Sequence, residues 1–459
     1  MPPSTHALLA ELYAAATAAA APGPALRTRL ERLDLPANSS IWILALGKAA
    51  LPMAQTAVDV LRRRRLAPSG GLVVAPTGGE RPHPALPLIA GDHPEPGDRS
   101  FAAADALAAT VSRVTPADEV WVLLSGGTTS LVGAPEPGIT TAELTSLYNL
   151  LLGSGLDITA MNRIRKRFSR WGGGKLARAL APARVRVFLV SDVIGDDPAS
   201  IGSGPCVPDP TTATDVHSLL EAAGLWSRIP GSARDAVISA EAGKTAETPK
   251  PGDPAFERVT LELVASNRLA LEAAAKRAAE LGLAPLVMET PLAGEASAAG
   301  ASVATSLVNN CVRPSIPQPR QGSQEGRPCM IWGGETTVTL GHGSTGLGGR
   351  CQELALAAAR VLDGVPRDTA LLVAGTDGRD GPTDAAGAIV DGATWSSIAA
   401  KGRNPSADLA AHDAYHALDA AGALLRPGLT GTNVMDIVIG VCGETVSGTR
   451  TGVSGKRKA

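Results

Sequence analysis

Aromatic side chains are scarce in this chain, at 3% of residues, too few for the stacking platforms that hold single-stranded nucleic acids. An excess of either charge is also missing. The formal net charge is −2, which leaves no electrostatic footprint for DNA or for an acidic membrane surface. Cysteines number only five (Cys206, Cys311, Cys329, Cys351 and Cys442), with no C-x-x-C pair among them. Scattered in this way, they are expected to be free thiols in a reducing cytosol rather than a disulfide framework. No run approaches the roughly 18 apolar residues of a membrane span. The Ala-rich stretch ELYAAATAAAAPG lacks a basic flank and carries Glu11, so an amphipathic helix is expected there and not a signal peptide.

Several catalytic signatures are absent too. A Walker A loop needs G-x-x-x-x-G-K-[ST], but Gly47-Lys48 has Trp42 in place of the first glycine and Ala49 in place of the hydroxyl. Gly174-Lys175 fails likewise, with Ser169 and Leu176. There is no G-x-S-x-G elbow of a serine hydrolase. His412 and His416 in HDAYH are spaced like a zinc pair, yet Asp413 replaces the required Glu and no third ligand is evident, so a surface helix is expected. The acidic stretch GTDGRDGPTDAAGA is not an EF-hand. Counted from Asp377, Arg379, Gly381 and Ala388 stand where ligands belong.

Glycine and proline are plentiful, 51 and 35 in 459 residues, so loops are many and shaped. Short β-branched runs alternate with Ala/Leu-rich helical segments, the pattern of an α/β protein with largely parallel sheets. Expected strands are 40–46, 71–75, 119–125, 184–191, 258–266, 284–289, 329–334 and 335–340 (as one strand or two), 370–374 and 434–441. The Pro/Lys/Gly stretch 242–257 has linker composition. It predicts two domains, 1–245 and 255–459, with 313–328 as a loop insertion in the second.

Candidate anion sites cluster at strand ends. Lys48 follows WILAL and opens a helix, where ligands of open α/β sheets bind and amides already point at an anion. The loop Ser125-Gly126-Gly127 ends the strand VWVLLS, and Asp192 closes RVRVFLVS. GHGSTG (341–346) is a literal G-x-G-x-x-G between an expected strand and the helix RCQELALAAARVL. That context serves a dinucleotide, or a phosphate held by free glycine amides and by Arg350 at the head of the helix. Asn162, Arg165, Lys166 and Ser169 share one helical face, either solvated or placed to receive an anion. Taken together, these residues point to an anion-handling α/β enzyme, with donors for phosphates and carboxylates for a divalent metal.

The segments LGKAA, GDHPEPGDRS, LLSGGTTSL, MNRIRKRFSRWGGGKLA, SDVIGDDPASIGSGP, WGGETTVTLGHGSTGLGGRCQELALA, GTDGRDGPTDAAGA and LTGTNVMDI, in this order, resemble the glycerate 2-kinase family with its C-terminal MOFRL domain. The resemblance implies two three-layer α/β/α domains. One is Rossmann-like with a mainly parallel sheet, the other has a mixed sheet, and the active site lies in the cleft between them. It implies phosphorylation of D-glycerate at its 2-hydroxyl by ATP with Mg²⁺, with hydroxypyruvate reduction as the alternative because relatives have carried that label. Lys48 and Arg350 match the family's catalytic cations, and Asp192 and Asp377 are candidates for metal binding or for activating the hydroxyl. Expected nucleotide contacts are Ser125, Gly126, Gly127, Gly334, Glu335, Gly346, Gly348 and Gly349. Expected substrate contacts are Asn162, Arg165 and Ser203. The partners implied are a small molecule and a nucleotide, in the cytoplasm, with neither nucleic acid nor membrane; a homodimer is left open. Two residues depart from the pattern: Gly172 stands where the family often has lysine, with Lys175 as its expected replacement, and Cys351 where asparagine is common.

Overall fold

The structure, a computed structural model, describes residues 4–93, 95–312, 326–341, 346–366 and 368–443. Most of the expected insertion, much of GHGSTG and the basic tail lie outside these. The chain forms two compact units. The first comprises Thr17–Ala270 with Thr430–Met435; the second comprises Met1–Ala16, Leu271–Leu429 and Asp436–Ala459.

The first unit is built on strands β1 (Ile41–Leu46), β2 (Gly70–Ala75), β3 (Leu88–Ala90), β4 (Glu119–Leu124), β5 (Arg184–Val190) and β6 (Val259–Ala265). They form one parallel sheet in the order β3-β2-β1-β4-β5-β6. IWILAL and GLVVA lack polar alternation because β1 and β2 are buried along their whole length, as strands covered on both faces must be. Leu44, Leu46, Val74, Val122, Leu124 and Val187 share one core, each side chain contributing roughly 1.5–3 kcal/mol relative to exposure. A second apolar cluster joins helices Thr141–Leu152, Ile158–Phe168, Ala213–Ala222 and Gly231–Glu241. The stretch 242–257, read above as a domain boundary, falls inside this unit, because β6 follows it and extends the same sheet.

The second unit carries β7 (Leu283–Val287), β8 (Arg327–Gly334), β9 (Ala370–Gly375), β10 (Gly387–Asp391), β11 (Leu424–Leu425) and β12 (Asp436–Val441). The order is β11-β10-β9-β12-β8-β7, with β12 antiparallel to β8 and β9 and β7 parallel to β8. The sheet is therefore mixed, and β12 is buried throughout. Helix Arg350–Leu362 packs its Leu354, Ala358 and Leu362 against Val373 and Val390. ETTVTL is not a strand: β8 ends at Gly334, and only Thr337 makes an isolated bridge, to Glu295. Short β3, β10 and β11 escaped the sequence pattern. Cys311 and Cys442 form a disulfide, correcting the expectation of five free thiols; Cys206, Cys329 and Cys351 are free and buried. Among the described residues no helix is long and apolar enough to cross a membrane.

Candidate active site

In the first unit the strand order reverses between β1 and β4, the switch point beyond which open α/β sheets bind ligands. The two loops there are knitted together. Lys48 N donates to Gly126 O at 2.9 Å, Ala49 N to Ser125 Oγ at 2.9 Å, and Thr128 Oγ1 to Leu46 O at 3.0 Å. Gly47 permits this approach. Its φ is +119°, and a Cβ would lie 2.3 Å from Ser125 Oγ.

Asp192, just past β5, lies directly on Gly126, where a Cβ would come within 1.7 Å of Asp192 Oδ2. At Gly127, with φ +82°, the same construction meets the His93 ring at 3.1 Å and Lys48 Cε at 3.3 Å. Lys48, His93, Asp192 and the Ser125–Gly127 loop thus share one small region. Burial raises the Asp192 pKa, with the Lys48 charge opposing. Desolvation, then the Lys48 charge, holds His93 below the ordinary imidazole range. His93 was missed from sequence, although GDHPEPGDRS contains it.

Ser203 belongs to the same neighbourhood. Its Oγ lies 2.8 Å from Thr129 Oγ1, and its φ of +64° is flanked by Gly202 and Gly204, both also positive. Its carbonyl accepts Gly173 N at 2.8 Å. Arg165 points elsewhere. Its guanidinium stacks over Tyr148 at 5.2 Å, in the helical cluster, with Nε buried and without a hydrogen-bond partner among the described residues. Asn162 is half-buried on the same helix. Lys175 does not replace the missing lysine at Gly172. Its Nζ donates to the carbonyls of Lys166, Arg167 and Ser169 and pairs with Glu136, closing the helix C-terminus.

The second unit presents a different constellation. Arg350 opens its helix and grips Asp436 bidentately, Nε to Oδ2 at 2.7 Å and Nη2 to Oδ1 at 2.8 Å, the strong geometry for this pair. Glu335 Oε1 adds a contact at 3.1 Å. Burial alone would lower the Arg350 pKa, but the hydrogen bonds and charge of Asp436 raise it above the ordinary range. Asp436 begins β12 opposite Gly334 of β8 and Gly375 of β9, so these strand ends converge on the arginine. Gly334, with φ +140°, leaves room for the Leu292 backbone. Asp377 stands at the same edge, its Oδ1 accepting Arg379 N at 3.0 Å. Asp436 was not singled out from sequence.

Two amides of the glycine loop before Arg350 are engaged internally. Gly346 N donates to Ala411 O at 2.7 Å and Leu347 N to Asp413 Oδ1 at 2.9 Å, while Gly348 packs against His412 and Ala414. Asp380 sits against Gly349, where a Cβ would lie 2.3 Å from its carboxylate, and accepts Cys351 N at 3.2 Å and Gln352 N at 2.8 Å. The helix N-terminus therefore holds one of the protein's own carboxylates, and of the expected phosphate cradle the Gly346 amide is already engaged. His412 pairs with Glu353, and His416 with Asp413.

Burial pushes Asp380 up to about 7, against the two amides. The folded protein holds this proton more tightly than the unfolded chain, whose aspartate titrates near 4. The contribution of Asp380 to stability is thus complete below about pH 4 and is lost as pH rises through about 7, by at most about 4 kcal/mol. Asp380→Asn keeps an acceptor for the amides and is expected to flatten this slope in urea unfolding between about pH 4 and 7. An unchanged slope contradicts the assignment.

Known proteins match along nearly the whole chain. The family model described as a domain of unknown function, DUF4147, matches residues 8–238, and that of the MOFRL family matches residues 328–436. The glycerate 2-kinase of Pyrococcus horikoshii is 37% identical over 88% of this chain and 88% of its own. A protein of Agrobacterium vitis named putative hydroxypyruvate reductase is 37% identical over 95% of this chain and 94% of its own. The crystal structure of glycerate kinase from Thermotoga maritima superposes with a TM-score of 0.83 at 34% identity, covering 95% of this chain and 98% of that one. With the two sheets and the charged strand ends already in place, these matches show that the chain belongs to the glycerate 2-kinase family.

Proposed function

We propose that the protein transfers the γ-phosphoryl group of ATP to the 2-hydroxyl of D-glycerate, giving 2-phosphoglycerate and ADP. The observation that carries this reading is the convergence of Lys48, Asp192 and the Ser125–Gly127 loop at the switch point of a parallel sheet, in a chain of this family. The bond between the 2-oxygen and the γ-phosphorus forms as the β–γ bridging bond breaks, and the hydroxyl proton goes to Asp192. Burial raises the pKa of that carboxylate, which strengthens it as a proton acceptor. Lys48 and the glycine amides hold the anionic oxygens where charge is spread in the transition state. Arg350, aligned by Asp436, is the second cation assigned to the reaction.

Among the described residues no group of three or more His, Cys, Asp or Glu could hold a metal unaided. Mg²⁺ keeps several waters and takes one or two carboxylates plus substrate phosphates; with Asp192 taking the proton, Asp377 at the strand ends of the second unit is the carboxylate proposed to hold it. The ion would neutralise phosphate charge as part of the nucleotide substrate.

The G-x-G-x-x-G reading loses its context, because β8 ends at Gly334, short of Gly341. The decisive assay measures ADP formation dependent on D-glycerate and Mg²⁺, with NMR of the product to separate 2- from 3-phosphoglycerate. Oxidation of NAD(P)H by hydroxypyruvate with no ATP-dependent phosphorylation would overturn the kinase reading.

A further inference from the structure

Helix Ile158–Phe168 and the turn after it bury three cations, and two of them are matched. Arg167 pairs with Glu247, and Lys175 pairs with Glu136 and three backbone carbonyls. Lys166 is different. It is only 7% exposed, and its ammonium makes no hydrogen bond or ion pair among the described residues. Burial lowers its pKa, while Asp209 and Asp197 support the charge from a distance and Arg163 opposes it. Those aspartates are already engaged. Asp209 accepts Thr248 Oγ1 at 3.0 Å and Thr211 N at 3.2 Å, and Asp197 accepts Ala199 N and Ser200 Oγ.

The stem is buried, and the ammonium, partly desolvated and without a close partner among the described residues, is left to water. A partly desolvated cation left open in this way is a ready partner for an anion that binds beside it. The surroundings of Lys166 say where. Its Cβ would lie 3.4 Å from a Cβ at Gly173, whose amide donates to Ser203 O. Ser203 in turn meets Thr129 on the loop that carries Gly126 and Gly127. Asp197, which acts on Lys166 electrostatically, lies in the loop that begins at Asp192. Lys166 thus borders the same loops as Lys48 and Asp192, all within the first unit.

We propose that Lys166 is a substrate-binding residue, completing its ion pair with an anionic oxygen of a substrate: the carboxylate of glycerate or a phosphate of the nucleotide. The choice between these two rests on the kinase reading; the pairing with an anion does not.

Lys166→Met keeps the apolar stem and removes the charge. It is expected to raise KM for one of the two substrates by about 10- to 100-fold, the scale of a lost charge-assisted hydrogen bond. The Tm of the ligand-free variant should equal or exceed that of the wild type, since a partly desolvated charge with no close partner has gone. A rise in KM for D-glycerate assigns the carboxylate, and a rise in KM for ATP assigns the phosphate. Unchanged KM values for both overturn the proposal, as does a ligand-free variant clearly less stable than wild type, the mark of a structural lysine. Thermal shifts with D-glycerate alone and with inorganic phosphate alone keep the two readings separable. If the wild type forms no ADP, the kinase reading falls. A shift present in wild type and lost in Lys166→Met still supports the lysine, and equal shifts, or none in either protein, overturn it.

Discussion

Lys48→Ala is expected to lower kcat by at least about 10²-fold, the scale of losing one electrostatic stabiliser of the transition state. The ammonium is exposed at the end of β1, while its backbone is fixed to Gly126 and the next amide to Ser125. Truncation therefore removes the charge and leaves the loop's own hydrogen bonds in place, so the fold should survive. A second effect follows from electrostatics: Lys48 is the charge that opposes the burial-driven rise of the Asp192 pKa. Without it Asp192 titrates higher still, and the acidic limb of the kcat–pH profile should move to higher pH. Turnover near that of wild type, with an unmoved acidic limb, would remove Lys48 from the mechanism.

Arg350→Ala is expected to cost at least about 10²-fold in kcat by the same logic, together with some stability. Asp436 is only 4% exposed, and the substitution strips it of both guanidinium contacts. Breaking a fully buried pair costs about 3–5 kcal/mol. The loss here should be smaller, because the Arg350 side chain is 33% exposed. The two effects separate in the double variant Arg350→Ala, Asp436→Asn, where no buried carboxylate has lost the guanidinium's charge. Stability should largely return and activity should not. Arg350→Lys probes geometry, since an ammonium keeps the charge but loses the planar two-point grip. Recovery of turnover in the double variant would mean that Arg350 acts through folding alone.

Much of this was legible in the sequence. Unbroken apolar runs such as IWILAL announced central parallel strands, and Lys48, Ser125 and Asp192 were found because each directly follows such a run. What escaped depends on pairings distant in sequence. Asp436 meets Arg350 only because β12 inserts between β8 and β9, a register no local pattern encodes. Asp380 looked like one of several turn aspartates, yet it caps the Arg350 helix from 28 residues away. The glycines at 346 and 349 were read as open donors, whereas Asp413 and Asp380 fill the space their missing side chains leave. Composition misplaced the boundary at 242–257, since a surface loop within a unit and a linker between units look alike in proline and glycine content. The bond between Cys311 and Cys442 spans 131 residues, beyond any spacing rule.

The position of β12 also has a consequence during synthesis. All six strands of the parallel sheet are available once Ala265 has emerged, so that sheet can close early. The mixed sheet cannot, because its central strand, Asp436–Val441, emerges after every other strand of that sheet among the described residues. Until then the facing sides of β8 and β9 carry unpaired amides and carbonyls, the surfaces on which strands of other chains can add. At roughly 5–20 residues per second, the nascent protein spends several seconds between completing β9 and completing β12. An aggregation-prone interval thus precedes β12, and the arrival of a single strand ends it.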